Sequence, residues 1–137
     1  MNKVVLIIFI YFTQSLELSS NETKLEQVIK GLNNPWSLSF INNDEIFVTE
    51  KSGNLLKINL YDKKVEKINH NLNILEDDQG GLLEVLYNNN EIFISYSENM
   101  GNGKSSTSVA KASFRKNNLN FKNIFRAEPP INSGYHF

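Results

Sequence analysis

The chain has 137 residues, of which 40% are hydrophobic and 21% charged, the composition of an ordinary globular protein with room for one small domain. Its 14 basic and 15 acidic residues give a net charge of −1 without a basic stripe, which argues against a nucleic-acid-binding surface. There is no cysteine, which excludes disulfides, thiolate metal sites and a cysteine nucleophile.

The first residues differ in composition from the rest of the chain. Lys3 precedes an unbroken apolar run from Val4 to Phe12, and small polar residues follow. This run is well short of the roughly 20 residues that a membrane-spanning helix needs, and the pattern is typical of a secretory signal peptide. We expect a signal peptide over residues 1–18 and a secreted or periplasmic mature chain from residue 19, with no membrane span. The alternative is that the run forms a first apolar strand.

An internal repeat is the main structural signal. "SFINNDEIFVTE" at 39–50 and "VLYNNNEIFISY" at 85–96 share Glu-Ile-Phe at positions 45 and 91, so the two copies lie 46 residues apart. Each copy has two apolar runs joined by Asn and Asp residues, which predicts a β-hairpin. Two strand-like segments follow each copy, "NLLKINL" and "KVEKI" after the first, "TSVAKASF" and "LNFKNIF" after the second.

Four strands repeated at this spacing predict an all-β fold, and the spacing is that of a β-propeller blade. A β-sandwich is the alternative, although it does not need a repeated four-strand unit. Two units account for residues 36 to about 127, whereas a closed propeller needs roughly 4–8 blades. We therefore expect a truncated propeller in which "NSGYHF" leads into a third unit.

Three loops lead into the first strands of these units, and in a propeller such loops meet at one mouth of the central channel. They carry Trp36, Gln79 and His136, which would converge from distant parts of the sequence. Trp36 is expected to be a core or channel-lining residue rather than a contact residue of the site. Gln79 has an alternative interpretation as the cap of a turn. His70 is expected to be exposed and without a role.

At these positions the sequence resembles the soluble pyrroloquinoline quinone (PQQ)-dependent aldose dehydrogenases, also called glucose/sorbosone dehydrogenases. "GLNNPWSLSFINNDEIFVTEKSGNLLKI" is similar to the opening blade of that family. The matching residues are Gly31, Leu32, Pro35, Trp36, Thr49, Glu50 and Gly53. "QGGLLEV", "EIFISYSE" and "SGYHF" resemble later family segments, the last of them the segment that bears the catalytic histidine. The likeness covers about residues 26–137, the front third of a family member.

The resemblance implies a six-bladed propeller that binds PQQ and calcium at the channel mouth and oxidises the C1 hydroxyl of aldose sugars to lactones. His136 would be the catalytic base, since a neutral imidazole with a pKa near 6.5 suits that role. Gln79 would bind near the substrate oxygen and the quinone. Some members carry an acidic residue where this chain has Tyr135. The calcium ligands and the basic cofactor-holding residues belong to later blades, so no metal ligand is assigned here.

The resemblance leaves two classes of function open. The first is a PQQ-dependent sugar dehydrogenase whose substrate is a small sugar and whose electron acceptor is unknown. The second is a non-catalytic propeller that binds a ligand or a protein. In either case the 137-residue chain by itself is expected to be inactive, because its blades would lack neighbours to pack against.

Overall fold

A computed structural model describes residues 23–115 and 118–135, which form nine strands and no helix. The predicted signal peptide and His136 lie outside the described residues. Within that part of the chain, no helix could cross a membrane. The strands are β1 (Pro35–Phe40), β2 (Glu45–Glu50), β3 (Asn54–Asn59), β4 (Val65–His70), β5 (Leu82–Asn88), β6 (Glu91–Gly101), β7 (Lys104–Ser113), β8 (Asn118–Leu119) and β9 (Lys122–Arg126).

The strands form two sheets, each built on a four-stranded antiparallel unit. The first sheet has the order β1-β2-β3-β4-β8, and the second has the order β5-β6-β7-β9. Strands β1 to β4 are joined to their sequence neighbours as a simple meander. The predicted unit of four strands, repeated once, is therefore present in the structure.

The second hairpin turn shows why asparagine is used there. Asn88 pairs with Glu91, which leaves a two-residue loop of Asn89 and Asn90. Both loop residues have positive φ, of 50° and 63°. Asparagine tolerates this left-handed conformation, and two such residues form the turn that matches the twist of a hairpin.

The 46-residue offset also predicts which way the side chains face. Ile92 and Ile94 of the second sheet are buried in the core between the two sheets, and we call this cluster the inter-sheet core. Their counterparts Ile46 and Val48 lie on the opposite side of the first sheet, in a separate cluster. Because neighbouring side chains of a strand alternate between faces, Phe47 points into the inter-sheet core. Equivalent positions of the two units thus face the same direction along the repeat.

The inner strands of the two sheets are joined by serine side chains. Strand β5 is an edge strand, and its free N–H groups would otherwise lack partners. Tyr87 N–H donates to Ser39 Oγ at 2.9 Å, and Val85 N–H donates to Ser37 Oγ at 3.4 Å. Ser37 Oγ in turn donates to the Glu84 carboxylate at 2.9 Å. The small polar residues of β1 therefore tie the two units together along their inner edges.

The segment "LNFKNIF", predicted as one strand, is divided between the two sheets. Its first residue, Leu119, belongs to β8, which pairs in parallel with β4 of the first sheet. Its last four residues belong to β9, which pairs with β7. Leu119 and Phe121 are both buried in the inter-sheet core. The Asn71 side chain accepts a hydrogen bond from Phe121 N–H at 2.7 Å and donates to its carbonyl at 3.1 Å. These contacts hold the crossing between the sheets in place.

The outer face of the first sheet, which carries Trp36, Leu38, Phe40, Ile46, Val48 and Ile58, lines an apolar cavity of about 520 Å³. Leu38 pairs with Val48, and Val85 pairs with Ile94, so Leu38 and Val85 are equivalent in the repeat. Val85 is 2% exposed beneath the first unit, whereas Leu38 is 55% exposed. The outer face therefore has the apolar pattern of a face that another four-stranded unit covers.

Candidate functional site

The last residue of β2, Glu50, holds the loop that leads into β1. Glu50 is only 5% exposed, and both oxygens of its carboxylate accept hydrogen bonds. Asn33 N–H donates to Oε1 at 2.6 Å, and the Asn54 side-chain amide donates to Oε2 at 2.7 Å. A buried carboxylate is costly unless its oxygens have such donors. Glu50 thus fixes the first leading loop against its own unit.

Lys51, in the turn between β2 and β3, bonds to two leading loops at once. Its N–H donates to the carbonyl of Asn34 at 3.0 Å, and its own carbonyl accepts from Leu82 N–H at 3.0 Å. Its ammonium donates to the carbonyl of Asp78. One residue of the first unit therefore contacts both the loop before β1 and the loop before β5.

The loop before β5 is a tight turn over residues 77–81. Gly80 N–H donates to the Asp77 carbonyl at 2.6 Å, and Asp78 has a positive φ of 43°. Gly81 exchanges two hydrogen bonds with Ser97, donating to its Oγ and accepting from its N–H, each at 2.9 Å. Residue 81 needs glycine because its φ is 153° and a Cβ there would overlap the Lys51 carbonyl oxygen and lie 2.7 Å from Lys51 Cγ.

Gln79 lies in this turn, beside the segment that leads to the C-terminus. Its side chain is exposed, and its N–H donates to the carbonyl of Gly134 at 2.8 Å. A Cβ on Gly134 would lie 2.7 Å from Asp78 Cβ and 3.0 Å from the Asp77 carbonyl, so the two segments pack directly against each other. The structure thus places Gln79 against Gly134, which precedes His136 by two residues in the sequence. His136 itself lies outside the described residues.

The C-terminal segment has a second attachment, to the start of β7. Ser105 and Ile131 exchange a pair of backbone hydrogen bonds at 2.9 Å, and Ser105 Oγ donates to the Ser133 carbonyl at 3.3 Å. The segment over residues 131–135 is therefore held by the second sheet on one side and by the 77–81 turn on the other. Tyr135, which stands where some family members carry an acid, is half exposed.

The Trp36 side chain does not join Gln79. It is 50% exposed and lines the apolar cavity on the outer face, whose lining includes no residue of the 77–81 turn. The leading loops converge as expected, but strand alternation turns Trp36 towards the apolar side. Trp36 therefore packs beside apolar residues, as expected of a core or channel-lining residue, and does not lie with Gln79.

His70 has a structural position rather than the exposed one expected for it. Its Nε2 lies 2.9 Å from the Gly53 carbonyl, and its Nδ1 accepts from Leu72 N–H at 3.3 Å. Burial against the fold lowers its pKa, which outweighs the opposing effect of the hydrogen bond to Gly53. A neutral imidazole that donates through Nε2 satisfies both contacts, so His70 fastens the turn after β2 to β4.

Glu98 forms the most extensive polar network among the described residues. Its carboxylate accepts from Arg126 through two nitrogens, at 2.5 and 2.7 Å, and from Ser108 Oγ at 2.6 Å and Asn123 at 2.7 Å. The hydrogen bond from Arg126 contributes most to lowering the pKa of Glu98. The network links β6, β7 and β9 and thereby stabilises the second sheet.

No metal centre is formed within residues 23–115 and 118–135, since no group of three or more acidic or histidine side chains comes together there. Asp77 and Asp78 are adjacent in the turn, but their place in the fold is explained by backbone hydrogen bonds and by contact with Gly134.

Sequence reasoning missed three residues that build this site: Lys51, Ser97 and Gly134. Lys51 bonds to backbone groups of the other unit, and Ser97 bonds to the backbone of Gly81 in its own unit, and no local sequence pattern predicts either contact. Gly134 does leave a signal, because a glycine just before the predicted histidine position is typical of a close approach between backbones.

Comparisons with known proteins agree with this architecture. The Glucose / Sorbosone dehydrogenase family matches residues 32–137. A glucose dehydrogenase of known structure is 31% identical, with a TM-score of 0.72 over 77% of this chain and 36% of that one. The soluble aldose sugar dehydrogenase from Escherichia coli, in its apo form, is 26% identical, with a TM-score of 0.74 over 82% of this chain and 35% of that one.

A PQQ-bound aldose sugar dehydrogenase from Streptomyces coelicolor is 16% identical, with a TM-score of 0.62 over 77% of this chain and 34% of that one, and so shares the fold. Among curated proteins, none matches the chain. The chain spans about a third of the length of the solved relatives it matches. Its two repeated sheets are blades of a β-propeller, as the 46-residue repeat predicted. With the family matched from residue 32 onward, the chain belongs to the glucose/sorbosone dehydrogenases.

Proposed function

We propose that this chain supplies the first two blades of a PQQ-dependent aldose sugar dehydrogenase, which oxidises the C1 hydroxyl of a sugar to a lactone. The observation that carries the proposal is the hydrogen bond from Gln79 N–H to the Gly134 carbonyl. It places Gln79 against the segment that leads directly into His136, at the end of the blades where the leading loops meet. Binding and catalytic residues commonly lie on loops that a rigid scaffold holds in place.

His136 is the proposed catalytic base. A sugar hydroxyl is a weak acid, and hydride leaves the C1 carbon readily only as the hydroxyl proton is removed. An uncharged imidazole accepts that proton near neutral pH. Tyr135 precedes it in place of the acidic residue of some relatives, so the base acts in this proposal without help from an adjacent carboxylate.

Gln79 is the proposed cofactor- and substrate-binding residue. Its side-chain amide offers two N–H donors and one carbonyl acceptor, which suit a quinone oxygen and a sugar hydroxyl respectively. Its backbone is held on both sides, by the 77–81 turn and by Gly134, so the amide is carried on a rigid support. PQQ, when bound, accepts the hydride, and the residues of these two blades supply only part of its surroundings.

Calcium is proposed for the whole protein only, because the described residues form no cluster that fits it. The electron acceptor that reoxidises the cofactor is not assigned. The alternative of a non-catalytic binding propeller has no observation in its favour, whereas the position of Gln79 beside the His136 segment favours an enzyme.

The test is steady-state oxidation of glucose with added PQQ and calcium. The 137-residue chain alone is expected to be inactive, and its exposed outer face should cause it to associate. A chain extended beyond residue 137 with the remaining blades of the E. coli aldose sugar dehydrogenase is expected to oxidise glucose. An extended chain that folds and binds PQQ without oxidising any aldose would contradict the proposed function.

In the extended enzyme, Gln79→Ala should raise KM and lower kcat by about tenfold or less, because one of several polar contacts to substrate and cofactor is lost. The matched control is Gln27→Ala, on an exposed segment before the first strand, which should leave both constants unchanged. Equal kinetics of the Gln79→Ala variant and the parent enzyme would remove Gln79 from the site.

We also propose that residues 1–18 are a cleaved signal peptide and that residue 19 begins the propeller part of a secreted or periplasmic protein. Mass spectrometry of the protein purified from an expressing bacterium should show a first residue between about Ser15 and Ser20. Recovery of an intact Met1 or Asn2 in a cytoplasmic product would rule out export.

A further inference from the structure

Lys51 follows the last residue of β2, and its side chain reaches the other blade. Its ammonium donates to a backbone carbonyl, that of Asp78, in a turn of the other blade. The neighbouring carbonyl of Asp77 already accepts from Gly80 N–H within the turn. The Asp78 carbonyl therefore takes its donor from the first blade, and the bond spans the gap between the two blades.

The backbone of Lys51 is held as firmly as its side chain. Hydrogen bonds at 3.0 Å join its N–H to Asn34 and its carbonyl to Leu82 N–H. There is no room for even a Cβ between Gly81 and the Lys51 carbonyl. Lys51 contacts Asp78 and Gly81 of the 77–81 turn and bonds to Leu82 directly after it, so the turn cannot shift relative to the first blade without breaking these contacts.

The far side of the same turn contacts the C-terminal segment. Gln79 N–H bonds to the Gly134 carbonyl, and Gly134 packs on Asp77 and Asp78 without space for a side chain. The contacts therefore run from Lys51 through the 77–81 turn to Gly134. A displacement of the turn by about 1 Å would be passed on to both Gln79 and the segment before His136.

We propose that Lys51 is a positioning residue, whose ammonium holds the 77–81 turn and the 133–135 segment in register with each other. It does not touch the reacting atoms in this proposal. Its catalytic consequence rests on the proposed function, because the turn carries the proposed cofactor ligand and the 133–135 segment precedes the proposed base in the sequence.

The first test is hydrogen exchange on the 137-residue chain, followed by mass spectrometry of peptides that cover 76–82 and 131–135. Lys51→Met removes the ammonium and keeps the aliphatic stem, so exchange in both peptides should become about tenfold faster, the effect of losing one hydrogen bond to a charged donor. Lys51→Arg should restore protection, because a guanidinium also donates. Lys64→Met, which removes an exposed lysine of the same blade, should change neither peptide.

A peptide covering 46–58 reports whether Lys51→Met acts locally or unfolds the blade. Faster exchange confined to 76–82 and 131–135 supports the proposal. Unchanged exchange in these two peptides, or the same acceleration in 46–58, would overturn it. Failure of Lys51→Arg to restore protection would overturn it as well.

The second test uses the extended enzyme. Lys51→Met should lower kcat by about 10- to 100-fold, the cost of misplacing catalytic groups by about 1 Å, while the Kd of PQQ changes less than about threefold. A faster-exchanging turn with normal kcat would show that Lys51 does not position catalytic groups. If the parent extended enzyme oxidises no sugar, the proposed function fails, while the exchange experiment still decides whether Lys51 holds the turn.

Discussion

His136→Asn, in a chain extended with the remaining propeller blades, should lower kcat for sugar oxidation by about 10²–10⁴-fold, the usual cost of removing a general base. Asparagine has a similar size and keeps a hydrogen bond, but its amide cannot accept the C1 hydroxyl proton. The Kd of PQQ should change much less, because the basic residues expected to hold the quinone belong to later blades. Steady-state kinetics with PQQ and calcium, paired with a PQQ-binding titration, measure the two effects separately.

The chain provides a matched control, since it has only two histidines. His70 is bonded to the Gly53 carbonyl and Leu72 N–H, away from the proposed chemistry. His70→Asn should therefore cost stability but leave kcat of the folded enzyme near that of the parent. If His136→Asn keeps a near-normal kcat while PQQ binding is intact, His136 is not the base and the enzymatic proposal loses its main support.

The repeated unit could be predicted from the sequence because both of its signals are local. The Glu-Ile-Phe repeat fixes the 46-residue offset, and the Asn-rich turns fix each hairpin, so the strands and the direction in which Ile46 and Ile92 face follow directly. The division of "LNFKNIF" between two sheets could not be predicted. It depends on Asn71, about 50 residues away, which binds both backbone groups of Phe121.

The candidate site was predictable to a similar extent. The proximity of Gln79 to the C-terminal segment follows from the rule that the leading loops of neighbouring blades meet at one end. The bond from Lys51 to Asp78 could not be predicted from the sequence. It depends on the direction of the Asp78 carbonyl, which is set by the positive φ of that residue. The packing role expected for Trp36 agrees with its position, because the alternation of side chains along β1 turns it to the apolar face.

Phe47→Ala should destabilise the chain by about 3–5 kcal/mol, the usual cost of replacing a buried phenylalanine with alanine. Phe47 is 0% exposed and lies in the inter-sheet core. Its ring meets Phe114 edge-on at 5.0 Å between centroids and Tyr87 at 5.9 Å. The substitution would leave a cavity between the two blades and remove both aromatic contacts, so the interface between the blades should weaken most.

The repeat itself supplies the control, because Phe93 is the counterpart of Phe47 in the second blade and is only partly buried. Phe93→Ala should cost less than about 1.5 kcal/mol, since it removes less buried area and leaves no enclosed cavity. Unfolding in guanidinium chloride, followed by the circular dichroism of the strands at several protein concentrations, compares the two variants. Equal losses of stability would mean that Phe93 is as well covered in solution as Phe47, and that its face packs against another unit even in the isolated chain.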